Sequence, residues 1–239
     1  MFVSIDSNIT VGIINTKDRL HKDSLRVIEI IKKGSHDLIL SQASVKETSR
    51  LFLNNINNVI VRLIKIIPDL LEIEDSTSIE FNELLLKKIK ELKKKGVNSN
   101  FCDLMYSEIQ SFLKKNPVKK LPNFLSGYAI YLTSSIDKEI KKITGIDFQI
   151  VGPRNDIGNR LDETTRKLVD VRFKDKSDER IFYEIVFNLD IISPVNFVSD
   201  DKEAIKKSNK AKAILDDDTE FSKFSYTFLE LNDFLKKNS

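Results

Sequence analysis

Apolar residues recur along this chain with two different spacings. Short uninterrupted apolar runs at residues 2–5 (FVSI) and 38–41 (LILS) are typical of buried strands. Between them, residues 17–34 place apolar side chains on one stripe and end at Gly34, which predicts a helix with a glycine at its C-terminal end. A second helical pattern follows the second run. Strand, helix, strand and helix with short connections predict an α/β fold with a central parallel sheet flanked by helices.

The middle of the chain loses the strand pattern. Residues 52–169 hold a succession of helical patterns, such as the amphipathic SIEFNELLLKKIKELKKKG at residues 78–96. From about residue 170 the earlier rhythm returns, with VNFVS at residues 195–199 and a β-prone FSYTFLEL at residues 224–231. We therefore predict a discontinuous α/β core made of residues 1–51 and 170–239, with an all-helical insertion at residues 52–169.

The amino-acid composition excludes several classes of protein and of site. Of 239 residues, 41% are hydrophobic and 31% are charged, as expected for a globular protein with a core. A single cysteine, Cys102, excludes a disulfide framework, and two histidines are too few for a histidine-rich metal site. No apolar run is long enough to span a membrane, and the N-terminal MFVSID lacks the features of a signal peptide. We therefore expect a cytoplasmic protein without a membrane partner.

The net charge of +3 does not identify a partner, but the lysines are unevenly distributed. Between Lys87 and Lys120, ten lysines stand against three acidic residues. The simpler interpretation is the solvated face of lysine-rich helices. The other is contact with RNA phosphates. The candidates for that contact are Lys87, Lys88, Lys93, Lys94 and Lys95, with Phe101, Tyr106 or Phe112 to stack on bases.

Acidic residues recur where a predicted strand ends or where the next helix begins. They are Asp6, Glu47, Asp178, Asp200 and Asp201. In an open parallel sheet, residues after the carboxyl ends of different strands lie along one edge, so these carboxylates can converge. Each also has a local alternative as a helix cap or a first-turn acid, and Ser44 and Glu47 have the spacing of a capping box.

Asp200 and Asp201 are adjacent, and a single helix cap accounts for only one of them. Asp200 as N-cap, with Glu203 three residues later, would satisfy the start of the helix and leave Asp201 surplus to capping. We therefore predict that Asp200 caps the helix and that Asp201 is offered to a metal ion. The exchange of these two roles is the main alternative.

Carboxylates gathered in one crevice repel one another unless a cation is bound. Oxygen ligands without histidine or cysteine suit Mg²⁺ or Mn²⁺, which activate water and stabilise the leaving oxygen of a phosphodiester. Ser199, Ser7 and Asn8 are the candidates to orient a carboxylate or a bound water.

Four stretches resemble the PIN domain, a family of metal-dependent ribonucleases. FVSIDSN resembles the opening strand with its Asp-x-Asn, and LILSQASVKET resembles the second strand and the helix that carries a glutamate. SDERIFYEI resembles the helix opened by the third acid, and NFVSDDKEA resembles the strand followed by Thr/Ser-x-Asp. The matching positions are Asp6, Asn8, Glu47, Asp178, Ser199 and Asp201, with Asp200 at the variable position.

The resemblance implies a PIN-like sheet, Mg²⁺ or Mn²⁺ held by the four acids, and endonucleolytic cleavage of RNA. We therefore expect an endoribonuclease; the alternative is a non-catalytic RNA- or protein-binding module that keeps the fold. The helical segment could select the substrate or bury a homo-oligomer interface. Because the chain is much longer than the small toxin-type members, we do not expect a cognate antitoxin.

Overall fold

The computed structural model describes residues 1–73, 79–154 and 158–238. The elements follow in the order β1 (Phe2–Ile5), α1 (Ser7–Ile14), α2 (His21–Lys33), β2 (Asp37–Ser41), α3 (Gln42–Ile64), α4 (Ile67–Leu71), α5 (Ile79–Lys94), α6 (Ser99–Leu113), a 3-10 turn (Val118–Lys120), α7 (Leu121–Ser134), α8 (Ile136–Thr144), β3 (Phe148–Val151), α9 (Gly158–Lys167), α10 (Lys176–Val186), α11 (Leu189–Ile192), β4 (Val195–Ser199), α12 (Lys202–Asp216), β5 (Tyr226–Glu230) and α13 (Leu231–Lys237). None of the helices within the described ranges is both long and apolar enough to cross a membrane.

Contacts within the chain divide it into two compact units. The first comprises Met1–Ile14, Leu20–Thr48 and Ile140–Ser239, and the second comprises Asn15–Arg19 and Ser49–Glu139. Each is described by itself below.

The first unit is built on a five-stranded sheet in which all paired strands are parallel. The strand order β3-β2-β1-β4-β5 places β1 between β2 and β4. Ile5 pairs with Leu40 on one side and with Val198 on the other, so these three strands end at about the same level. The residues that follow them therefore share the carboxyl edge of the sheet, where ligands bind in folds of this class.

Helices flank the sheet, so most residues of β1, β2 and β4 are buried. Ile5, Ile39 and Val198 are fully buried. Helix α10 packs its apolar face into the core of this unit, where the rings of Phe182 and Phe228 lie 5.4 Å apart. This packing fixes how α10 approaches the sheet.

The observed elements confirm the predicted parallel α/β sheet but differ from the expectation in two places. The range 52–169 is not all-helical, because Phe148–Val151 forms edge strand β3. Gln149 and Ile150 are exposed, so this short run does not have the apolar pattern of the buried strands. Helix α1 has no counterpart in the sequence-based expectation, because seven of its eight residues are buried and no polar face marks a helical period.

In the second unit the described elements are helical. Helix α5 buries Phe81, Leu85 and Ile89, as its amphipathic pattern predicts. Helix α6 begins after Asn98, whose side chain accepts hydrogen bonds from the backbone N–H groups of Asn100 and Phe101. Helix α6 is thus capped by a residue of this unit.

Candidate active site

The candidate site lies at the carboxyl edge of the sheet, between its two central strands. Asp6 follows the last residue of β1 directly, and Ser199 is the last residue of the neighbouring β4. The backbone N–H of Asp6 donates to the carbonyl oxygen of Val198 at 3.1 Å, which extends the pairing of the two strands by one residue. The register of the sheet therefore fixes Asp6 beside Ser199.

The Asp6 carboxylate is buried, with 4% exposure, and is held at both oxygens. Its Oδ2 accepts from Ser199 Oγ at 2.6 Å, and its Oδ1 accepts from the Ser7 N–H at 2.6 Å and from Ser7 Oγ at 3.3 Å. Burial raises the pKa of Asp6 to about 6, although these hydrogen bonds oppose the shift, and the nearby charge of Glu47 adds to it. Asp6 is thus a fixed carboxylate whose ionisation costs free energy.

Ser199 Oγ connects the three strand-end residues that the sequence singles out. It donates to Asp6, and it accepts from Asn8 Nδ2 at 3.3 Å and from the Asp201 N–H at 3.0 Å. Asn8 Oδ1 is buried and has no hydrogen-bond partner. Ser199 and Ser7 thus contact the Asp6 carboxylate, whereas Asn8 contacts Ser199 and leaves its own Oδ1 unsatisfied.

Glu47 lies on α3, which begins one residue after β2. The capping-box alternative for Ser44 and Glu47 does not describe this helix start, because Ser41 Oγ accepts from the Ser44 N–H at 2.9 Å and the helix begins at Gln42. Glu47 Oε2 is buried without a hydrogen-bond partner. A buried carboxylate oxygen without a partner can accept a hydrogen bond or bind a cation.

Asp178 lies in the first turn of α10, after the N-cap residue Asp175. The pKa of Asp178 is raised to about 7, first by burial and then by the negative charges of Asp6, Asp201, Glu47 and Asp175. The first three of these come from three other elements, so the shift shows that the predicted acids lie within electrostatic range of one another. Asp175 is an additional acid that sequence reasoning missed; its signal is the N-cap preference for aspartate three residues before Asp178.

The structure corrects the predicted cap of α12. Asp201, not Asp200, is the N-cap of α12, and its Oδ1 accepts from the N–H groups of Glu203 at 2.9 Å and Ala204 at 3.0 Å. The reason is that β4 continues to Ser199, and Asp200 forms the bend between strand and helix. Asp201 therefore combines the cap with the electrostatic contact to Asp178.

Apolar side chains line a small pocket beneath the carboxylates. Ile181 and Phe182 of α10, together with Phe197 and Phe228 of the sheet, border it along with Asp6 and Asp178. These side chains are buried and exclude water from one side of the acids. This surrounding is the physical cause of the raised pKa values, because a carboxylate loses hydration where apolar groups replace water.

A buried acid outside this crevice supports α3. Glu184 of α10 is 8% exposed, and its Oε2 accepts from the backbone N–H of Ala43 at 2.8 Å, at the first turn of α3. Burial raises the pKa of Glu184, and the hydrogen bond from Ala43 opposes the shift. A glutamate inside an apolar helix carries no signal of a partner 141 residues away, so sequence reasoning could not find it.

The lysines proposed for RNA contact lie on α5 or, in the case of Lys95, directly after it, and they differ in their surroundings. Lys93 donates to both carboxylate oxygens of Asp103, at 2.6 and 2.7 Å, and Lys88 lies 3.6 Å from Glu91. Lys87, Lys94 and Lys95 are exposed. Phe101 is a core residue, 4% exposed, whose ring meets that of Phe52 edge-on at 5.1 Å. It is therefore not placed to stack on a base.

Comparisons of the chain with protein-family models, with curated protein sequences and with solved structures find no match. Within residues 1–73, 79–154 and 158–238, no group of three or more His, Cys, Asp or Glu side chains is arranged so that it could hold a metal ion as it stands. The crevice is a set of mutually repelling carboxylates with two unsatisfied oxygens, Glu47 Oε2 and Asn8 Oδ1, at or near it.

Proposed function

We propose that this chain is a metal-dependent endoribonuclease of the PIN type that hydrolyses RNA phosphodiester bonds at the crevice of Asp6, Glu47, Asp178 and Asp201. One observation carries the proposal: carboxylates from four separate elements act on one another at the carboxyl edge of a parallel sheet. Holding like charges together costs free energy, and that cost is recovered when cations bind. The resemblance of the four sequence stretches to PIN domains supports the same function.

The donors fit Mg²⁺ or Mn²⁺ in their chemistry, because they are all oxygens. Glu47 Oε2 and Asn8 Oδ1, both buried without a partner, are acceptors that a cation or a water held beside it would satisfy. When bound, such a cation lowers the pKa of water and stabilises the leaving oxygen of a phosphodiester. Binding of a cation would require the carboxylates to move closer together.

The chain's own residues have distinct tasks in this proposal. Asp6 is the fixed ligand, because Ser199 and Ser7 hold both of its oxygens. Asp201 uses Oδ1 for the helix cap and keeps Oδ2 for a cation. Asp178 is partly exposed at the start of α10, so its side chain can turn towards the cation at little cost. Glu47 contributes Oε2 from α3.

Cleavage of labelled single-stranded RNA with Mn²⁺, with Mg²⁺ and with EDTA tests this proposal. We expect metal-dependent cleavage, and loss of about a hundredfold or more in Asp6→Asn, because the substitution removes a negative ligand from the crevice. Asp217→Asn is the matched control: it makes the same chemical change at an exposed position after α12 and is expected to cleave as wild type does. Separate preparations exclude a contaminating nuclease.

The binding-module alternative predicts a different result. It requires RNA or protein binding without cleavage in any of the metal conditions, and equal behaviour of Asp6→Asn and Asp217→Asn. Titration of Mn²⁺ into the same samples separates this outcome from an unsuitable substrate. A chain that binds Mn²⁺ through Asp6 but cleaves nothing still has the proposed site; one that binds no Mn²⁺ does not.

A further inference from the structure

Three aromatic rings form a row between α6 and α7. Phe112 and Phe124 stack at 4.3 Å with 15° between their planes, and Tyr128 continues the row at 5.5 Å from Phe124. All three side chains are partly exposed. An apolar core alone does not require rings to stack in parallel at a surface, and partly exposed stacked rings are the platform on which unpaired bases stack.

Next to this row, helix α7 has open space above Gly127. A side chain at this position would meet nothing within 4 Å, although glycine inside a helix costs about 0.5–1 kcal/mol relative to alanine. Gly127 lies three residues after Phe124, on the same side of the helix. The glycine therefore leaves the flank of the aromatic row free for a planar group.

Four lysines lie at the turn between α6 and α7, the two helices that carry the rings. They are Lys114, Lys115, Lys119 and Lys120, and all four are exposed. Within the part of the chain that the structure describes, none of them makes an ion pair. Glu108 and Glu139 act on Tyr128 of the row, so positive charge is concentrated at the turn.

Hydrogen bonds and buried side chains brace the turn that carries these lysines. Asn116 Nδ2 donates to the carbonyl oxygen of Phe112 at 3.0 Å, and the Lys120 N–H donates to the carbonyl oxygen of Pro117 at 3.0 Å. Val118 and Leu121 are buried and anchor the turn from inside. The lysines are therefore presented at fixed backbone positions beside the rings, which lowers the entropy lost on binding.

We propose that this corner, defined as Lys114, Lys115, Lys119 and Lys120 with Phe112, Phe124 and Tyr128, binds single-stranded RNA. The phosphates contact the lysines and the bases stack along the aromatic row. The inference rests on the proposed function, because it names a surface of the second unit that would bind RNA. It also departs from the sequence-based choice of α5, where lysines alternate with Glu83 and Glu91 on the exposed face and two of them are already paired.

A matched pair of charge variants tests the lysines. Both are made in Asp6→Asn so that RNA is not cut, and affinity for a labelled single-stranded RNA of about 12 nucleotides is measured against salt. Lys114→Gln/Lys119→Gln/Lys120→Gln is expected to weaken binding about tenfold or more and to lower the salt slope by about 2. Lys87→Gln/Lys94→Gln/Lys95→Gln removes the same charge from α5 and the residue after it. It is expected to change the affinity and the salt slope far less. Equal losses, or a larger loss from α5, would overturn the assignment.

A matched pair of ring variants tests stacking. Phe124→Leu keeps the apolar volume but removes one ring, and it is expected to weaken RNA binding about fivefold or more without changing the salt slope. Phe101→Leu is the control, because it removes a buried ring from α6 and should lower stability but not RNA affinity. Unchanged affinity in Phe124→Leu would contradict the stacking platform. Melting temperatures of all variants show whether they are folded.

The same assays separate this inference from the proposed function. Because binding is measured in Asp6→Asn, a chain that never cleaves RNA can still confirm the corner, and a chain that cleaves RNA with unchanged corner variants refutes only the corner. A single-stranded DNA of the same sequence is run in parallel. Equal affinity for the RNA and the DNA would assign the contacts of the corner to phosphates and bases, which both strands share. Preference for double-stranded RNA over both single strands would overturn the proposal, because paired bases cannot stack on the row.

Discussion

At the scale of single residues, Asp201 is both a helix cap and a proposed metal ligand. Its Oδ1 caps α12, while its charge acts on Asp178 in the crevice. An N-cap needs only an acceptor, whereas a metal ligand of this class needs charge. The two jobs can therefore be separated by substitution, since asparagine caps helices about as well as aspartate does.

We expect Asp201→Asn to keep the stability of the protein and to weaken Mn²⁺ binding. Asp201→Ala should weaken Mn²⁺ binding as well and lower the free energy of unfolding by about 1 kcal/mol, because two backbone N–H groups lose their acceptor. Chemical denaturation and calorimetric Mn²⁺ titration measure the two effects. Asp200→Asn, at the bend, serves as comparison. If Asp200→Asn lost Mn²⁺ affinity and Asp201→Asn kept it, the assignment of the ligand would be reversed.

At the scale of elements, α3 and α10 are joined by a buried charge. Glu184 of α10 accepts the N–H of Ala43 at the N-terminal end of α3, where the helix dipole favours negative charge. Glu47 lies one turn further along α3. The contact links the start of α3 to α10, and we expect it to influence the position of Glu47.

Glu184→Gln should therefore act on stability and on the site together. We expect the free energy of unfolding to fall by about 1–3 kcal/mol, because a charged acceptor of a buried N–H is replaced by a neutral one. We also expect weaker Mn²⁺ binding although Glu184 is not a ligand. Glu179→Gln, on the same helix, is the control and should change neither quantity appreciably. Loss of stability with unchanged Mn²⁺ affinity would show that α3 keeps its position without Glu184.

Sequence patterns predict the elements whose surroundings are uniform. Strands β1, β2 and β4 are largely buried and consist mainly of apolar residues, whereas edge strand β3 exposes Gln149 and Ile150. The acids at the carboxyl edge could be predicted for the same reason, because the apolar runs in the sequence show where these strands end. The one-residue exchange between Asp200 and Asp201 could not, because local sequence does not fix where a bend stops and a helix starts. The role of Glu184 depends on a contact with a segment distant in the sequence, and no local sequence pattern indicates it.

At the scale of the whole molecule, the crevice makes stability depend on pH. The pKa of Asp6 is about 6 and that of Asp178 about 7, against 3.8 for both in the unfolded chain. Between pH 4 and pH 7 the folded protein therefore binds more protons than the unfolded chain, so these two groups lower the free energy of unfolding as pH rises. Above about pH 8 both are ionised in both states and the loss is complete.

Replacing Asp178 by asparagine should relieve this cost. At pH 8 without metal, we expect Asp178→Asn to be more stable than wild type by on the order of 1 kcal/mol, a value reduced because the side chain is half exposed. At pH 4 the difference should disappear, because the wild-type group is then protonated. Mn²⁺ should raise the melting temperature of wild type at pH 8 but not at pH 5, where protons compete for the ligands. A stabilising effect of Asp178→Asn that is the same at both pH values would contradict the raised pKa.

The hydrogen bond from Ser199 to Asp6 joins residues 193 positions apart. During synthesis, β1 and β2 leave the ribosome long before β4, so the central strand has only one neighbour for most of that time. The crevice is completed only when β4 pairs with β1 and brings Ser199 to Asp6. A nascent chain therefore carries Asp6 and Glu47 without Asp178 and Asp201. The proposed ribonuclease would be made inactive beside the messenger RNA that encodes it and would acquire its site only after the last strands have emerged.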